Sequence, residues 1–151
     1  MIRITRQTDY GIALMARMAS CPQFETHNAR DLAKEFRLPL PMVSKTLKLL
    51  SKNGLLTSQR GSKGGYFLAK NPEEITVLEI ISALDGPIAL TDCSFEDFGN
   101  CKQEPVCPVS RPWQKINQVL REALGKMNLA EMTLATPGNF VPVAQLQRKA
   151  P

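Results

Sequence analysis

The 151 residues carry 19 Lys/Arg against 14 Asp/Glu, a net charge of +5, and 43% are hydrophobic, so the chain can bury the core of one globular domain. No apolar run reaches the ~18–20 residues of a membrane-spanning helix, and the opening M-I-R-I-T-R-Q-T-D-Y lacks the apolar stretch of a secretory leader. The expected compartment is therefore the cytoplasm, where clustered cysteines bind metal or sense redox state more often than they pair as disulfides. Charge is uneven: residues 1–70 hold 12 Lys/Arg against 4 Asp/Glu, and residues 71–151 hold 7 against 10. A polyanion partner is expected on the N-terminal half.

In chain order, Tyr10, Ala13, Leu14 and Met18 give one apolar face to a helix over Gln7–Ser20. Cys21-Pro22 ends it, because the residue before proline is pushed out of helical angles. Asn28 is suited to cap a second helix, Ala29–Arg37, with Asp31 at its third position. The turn R-L-P-L-P leads into a third helix, Pro41–Asn53, stopped by Gly54. Val43, Leu47 and Leu50 face inward with Thr46 beside them, while Ser44, Lys45, Lys48 and Lys52 face out. Two short helices joined by a tight turn, the second basic on its free face, describe a helix-turn-helix.

Short strands follow at Leu55–Thr57 and Tyr66–Leu68, separated by Q-R-G-S-K-G-G. Glycines supply the backbone angles of a hairpin tip and let the chain approach another polymer closely. Arg60 and Lys63 make that tip basic, and Gly64 and Gly65 shape it. The combination predicts a mainly α protein with a small β-hairpin wing, a winged helix-turn-helix. Thr76 with Glu79 forms a capping box for a helix containing Val77, Leu78, Ile80, Ile81 and Leu84, stopped by Asp85-Gly86-Pro87.

Cys93, Cys101 and Cys107 then fall in a stretch that Gly99, Pro105, Pro108 and Pro112 keep irregular. A long helix over Arg111–Met127 carries Trp113, Ile116, Leu120, Ala123, Leu124 and Met127 in a stripe near heptad spacing. Such a stripe buries into the chain's own core or pairs with its twin, and the dimer is favoured because helix-turn-helix proteins commonly read two half-sites. A short capped turn covers Asn128–Met132, and the tail from Pro137 is expected to be loose. The predicted organisation is a DNA-binding unit over 1–86, a cysteine loop over 87–110, a dimerisation helix and short following helix over 111–136, and a tail over 137–151.

Thiolates suit iron–sulfur clusters and zinc alike. Seven and five intervening residues between the cysteines fit a tight zinc knuckle poorly, yet a zinc- or thiol-redox-dependent regulator stays open on the residues alone. No Gly-rich nucleotide loop, catalytic triad or His/carboxylate cluster marks an enzyme, so no catalytic residue and no small-molecule substrate are expected. On double-stranded DNA, Ser44, Lys45 and Lys48 are candidates along the major-groove face. Arg60, Lys63, Gly64 and Gly65 are the candidates at the wing, the lysines gripping phosphate and the Arg60 fork able to read a groove.

Several segments together resemble the IscR/NsrR family of winged-helix iron–sulfur regulators, and within it the regulators of the SUF cluster-assembly system. They are I-R-I-T-R-Q-T-D-Y, V-S-K-T-L-K-L-L-S-K-N-G-L-L, R-G-S-K-G-G-Y-F-L-A and I-T-V-L-E-I-I-S-A-L-D-G, followed by three cysteines and the long helix. The resemblance covers roughly Met1–Thr136. It implies a homodimeric transcription regulator in which Cys93, Cys101 and Cys107 hold a cluster and the long helix crosses its twin. One branch of the family places a histidine where this chain has Ser110; another uses an aspartate from the other subunit, which Asp9 matches. The resemblance thus implies three thiolates with a carboxylate and favours [4Fe–4S] over [2Fe–2S]. His27 has no role by this match and is expected to be a solvent-facing loop residue, and Cys21 to be structural or free.

Overall fold

Thr5 starts the fold by capping α1 (Arg6–Ala19), its hydroxyl accepting the Thr8 N–H at 3.2 Å and donating to Asp85 Oδ1 at 2.7 Å. The computed structural model describes residues 3–94 and 101–134. Residues 95–100 of the cysteine stretch and the expected loose tail over 137–151 lie outside the described residues. Of the predicted face of α1, Leu14 and Met18 are buried and Tyr10 and Ala13 half-buried, and Met15 is buried beside them. A Cβ on Gly11 would stand 2.3 Å from Leu84 Cδ1 and 3.3 Å from Thr46 Cγ2, so a glycine here lets α1 seat closely against its neighbours.

Helix α2 (Ala29–Phe36) is capped by Asn28, whose Oδ1 accepts the Asp31 N–H at 2.8 Å, and it ends on Arg37 in the left-handed conformation, φ 54°. Helix α3 (Leu40–Lys52) has Pro41 in its first turn and buries Val43, Thr46, Leu47 and Leu50. These bounds lie within a residue of the sequence expectation. The wing is an antiparallel pair, β1 (Leu56–Gln59) and β2 (Gly65–Leu68), with Leu56 opposite Leu68 and Gln59 opposite Gly65.

One element was not foreseen. His27 bridges to Tyr66, with N–H to O distances of 2.8 Å in both directions, so the α1–α2 loop adds a one-residue third strand to the wing. Gly65 permits this approach, since a Cβ there would stand 2.4 Å from the His27 carbonyl oxygen. His27 is half-buried rather than solvent-facing, because the bridge draws it against the sheet.

Helix α4 (Val77–Asp85) has the predicted capping box: Thr76 Oγ1 accepts the Glu79 N–H at 3.1 Å, and Glu79 Oε2 accepts the Thr76 N–H at 2.8 Å. Burial alone would push the Glu79 carboxyl up, but the Thr76 N–H, Lys70 and the Thr76 hydroxyl hold it below its ordinary value. The sign follows: this stabilisation is present above the unfolded carboxyl value and is lost as pH falls through the lower folded one. Lys70 and Glu79 are substantially exposed, so their ion pair adds little and the cap dominates. Glu79→Ala is expected to destabilise the chain by about 1 kcal/mol at neutral pH in urea unfolding. The difference from wild type should shrink as the carboxylate protonates.

The chain closes with α5 (Ser110–Lys126) and α6 (Leu129–Leu134). An isolated bridge between Thr76 and Asn128, with the Leu129 N–H on the Ile75 carbonyl at 2.8 Å, returns α6 to the winged unit. Leu129 is fully buried there among Leu14, Met15, Leu32, Val43, Leu47, Leu50, Ile75 and Ile80. Helix α5 buries only Ser110 and Asn117. Its predicted stripe is left outside the chain's own core: Trp113 is 39% exposed, Ile116 50% and Met127 46%, Ala123 is exposed and Leu120 and Leu124 are half-buried, and Val119 beside the stripe is 59% exposed. No helix among the described residues is long and apolar enough to cross a membrane.

Candidate nucleic-acid interface and cysteine loop

The buried side of α3 decides what its free side presents. With Val43, Leu47 and Leu50 fixed inward, helical geometry turns Lys45 and Lys48 to solvent, both exposed, with Ser44 half-buried at the edge. At the wing tip the Gly64 N–H bonds the Gly61 carbonyl at 3.0 Å, and a Cβ on Gly64 would stand 2.5 Å from the Gln59 carbonyl oxygen. Gly61 takes φ 118°, a conformation that favours glycine. Arg60 and Lys63 flank this turn and are exposed. A concave surface lined by Asn28, Arg30, Leu40, Ser44, Ser62 and Gly64 joins the starts of α2 and α3 to the wing tip. It brings Ser44 and Gly64 to one face and adds Arg30, which the sequence reading missed because it lies on α2 rather than on the basic helix.

The cysteine loop is built on polar anchors. Cys93 lies in a 3-10 turn, Asp92–Ser94, with Sγ 3.1 Å from the Thr91 hydroxyl. Asn117, 4% exposed on α5, donates through Nδ2 to the carbonyls of Ile88 and Ser94 at 3.2 Å each. Its Oδ1 accepts the Leu90 N–H at 3.2 Å. One turn earlier, Gln114 donates to the Cys93 carbonyl at 3.1 Å and to Glu104 Oε1 at 3.0 Å. Ser110, buried where the resemblance contrasts it with histidine, donates its hydroxyl to the Cys107 carbonyl at 3.2 Å.

Cys93, Cys101 and Cys107 are half-buried free thiols. Among the described residues their sulfurs do not gather into a group within 4.8 Å, so the loop is not drawn around a single ion. Three half-buried thiols on an anchored loop are donors that zinc and an iron–sulfur cluster both accept. Asp9 is exposed in the first turn of α1 and joins no group of three donors among the described residues. The group that does come together was not foreseen: donor atoms of Cys21, Glu25 and His27 all lie within 4.8 Å of one another. The C-x3-E-x-H spacing was the available signal, but only the folded loop brings the three donors together.

The family model described as "Rrf2: Iron-dependent Transcriptional regulator" matches residues 4–134. The chain is 28% identical to the HTH-type transcriptional regulator NsrR of Shouchella clausii over 123 residues, covering 82% of this chain and 78% of that protein. It is 28% identical to the HTH-type transcriptional regulator IscR of Klebsiella pneumoniae over 131 residues, covering 87% of this chain and 79% of that protein. Its fold is similar to that of CymR (YrzC), the global cysteine regulator of B. subtilis, with TM-score 0.71 and 27% identity over 91% of this chain and all of that one. Basic helix, glycine-tipped wing and anchored loop thus occur on a chain that belongs to the Rrf2 family, a DNA-binding transcription regulator of winged helix-turn-helix fold and not an enzyme.

Proposed function

We propose that the protein is a homodimeric regulator that senses iron–sulfur cluster status, or nitric oxide or oxidative damage to the cluster, and controls assembly genes of the SUF type. The observation that carries this reading is the division of labour on α5. The helix exposes Trp113, Ile116 and Val119, while Gln114 and Asn117, adjoining Trp113 on its surface, reach into the cysteine loop. A change in the loop therefore bears directly on the helix that would pair two copies. Cys93, Cys101 and Cys107 would hold the cluster, [4Fe–4S] in preference to [2Fe–2S], with the partner's Asp9 as fourth ligand. Bound there, the group supplies reactivity toward oxygen and nitric oxide.

The chain's own residues convert loop position into DNA affinity. Asn117 and Gln114 fix where α5 lies beneath the loop, and α5 sets how far apart the two α3 helices stand. Half-site spacing is geometrically strict, so a coupling of about 1–3 kcal/mol suffices to switch a promoter. Lys45, Lys48 and Lys63 supply phosphate contacts, Ser44 the edge of the major-groove face, and Arg60 a fork for the groove. Gly64 and Gly65 keep the wing narrow enough to approach.

Anaerobic purification with metal and sulfide analysis tests the reading: iron with acid-labile sulfide is expected. Zinc alone would replace it with a zinc- or thiol-dependent regulator of the same fold. Asp9→Ala should leave the cluster-free dimer intact and alter the cluster's spectrum and lifetime; an unchanged spectrum removes Asp9 as ligand. Arg60→Ala should weaken operator binding by roughly tenfold or more at physiological salt. Unaltered affinity and preference would remove the wing from the interface.

A further inference from the structure

The α1–α2 loop folds three metal-binding side chains toward one point. Cys21 follows the end of α1, its N–H on the Met18 carbonyl at 3.1 Å. The Glu25 N–H bonds the Pro22 carbonyl at 3.1 Å, and Phe24 between them takes a left-handed φ of 67°. The turn they make reverses the chain. Two residues later His27 is pinned by its two hydrogen bonds to the Tyr66 backbone. The donor atoms of Cys21, Glu25 and His27 then lie within 4.8 Å of one another.

His27 also bears an unmet polar group: its Nε2 is buried and has no hydrogen-bond partner. Arg17 donates to Cys21 Sγ and is itself paired to Glu35 at 2.6 Å. Its charge is therefore met by a carboxylate, while its N–H gives the sulfur the kind of outer hydrogen bond that supports a metal thiolate.

We infer that Cys21, Glu25 and His27 form a zinc site in the α1–α2 loop, separate from the cysteine loop and independent of what that loop holds. Thiolate, imidazole and carboxylate are a borderline-soft set that suits Zn²⁺ and leaves a fourth position for water. Bond lengths of about 2.0–2.3 Å place tetrahedral ligand atoms roughly 3.5 Å apart, so closure needs only side-chain rotation, which exposed Glu25 allows. Because His27 is hydrogen-bonded to β2, a metal held here would clamp the end of α1 to the strand next to the wing tip that carries Arg60 and Lys63.

The test uses the full chain with Cys93, Cys101 and Cys107 all changed to Ser, so that the thiols of the cysteine loop do not contribute and the cluster reading is not at stake. Metal-free protein is titrated with Zn²⁺ against a chromophoric chelator, and with Co²⁺ as a spectroscopic stand-in. One equivalent bound, a thiolate-to-cobalt charge-transfer band and a raised unfolding temperature are expected. Adding Cys21→Ser or His27→Gln should abolish the band or weaken binding by at least ~100-fold, with unchanged circular dichroism without metal. Absence of stoichiometric binding in the background chain, or binding undiminished in both variants, overturns the site. Should Cys21→Ser not fold, His27→Gln decides, because it leaves the backbone bridge intact.

Discussion

Asn117→Leu is expected to lower stability by about 2 kcal/mol or more, because it leaves one buried and two part-buried backbone groups without this partner, at ~1–3 kcal/mol for a fully buried one. Those groups are the Ile88 and Ser94 carbonyls and the Leu90 N–H. Leucine matches asparagine's shape closely enough that the loss comes from polarity rather than from a void. Urea unfolding measures the stability term. The same variant should lose its cluster faster than wild type in the proposed holo form, since the Asp92–Ser94 turn holding Cys93 keeps only its Gln114 bond to α5. Wild-type stability in the variant would show that loop and helix are not coupled through this side chain.

Ile116→Asp is expected to convert the proposed dimer to monomer and to weaken binding to a two-half-site operator by roughly 100-fold or more, the scale that joining two sites contributes. The variant places a carboxylate among Trp113, Val119 and the other exposed apolar residues of α5, where a pairing helix would have to desolvate it. Because Ile116 is half-exposed within one chain, the monomer's own stability should change little. Sedimentation velocity gives the assembly state, and thermal unfolding shows that the monomer is folded. A variant that remains dimeric would move the interface away from this stripe.

The helices and wing were legible in the sequence because their signals are local. Asn28, Thr76, Pro41 and Gly54 mark ends within a turn of where they act, and 3.6-residue periodicity assigns Leu14, Leu47 and Leu50 to the core. The anchoring of the cysteine loop was not, because Asn117 is a polar residue set within an apolar stripe. Its partners lie 23 to 29 residues away. His27 failed for a similar reason, since its bridge to Tyr66 depends on Gly65 lacking a side chain. The Cys21–Glu25–His27 group needs the left-handed turn at Phe24, a conformation that a phenylalanine does not announce.

The return of α6 to the winged unit bears on how the chain is made. Leu129, with no exposed surface, sits in the same core as Leu14 and Leu47. During synthesis that core stays open until residue 129 has left the ribosome, by which point all of α5 has already emerged. At about 5–20 residues per second, the interval between completion of β2 and closure of the core lasts seconds. Nascent chains that stop short of α6 therefore leave α1 without the helix that packs on it and the shared core without Leu129.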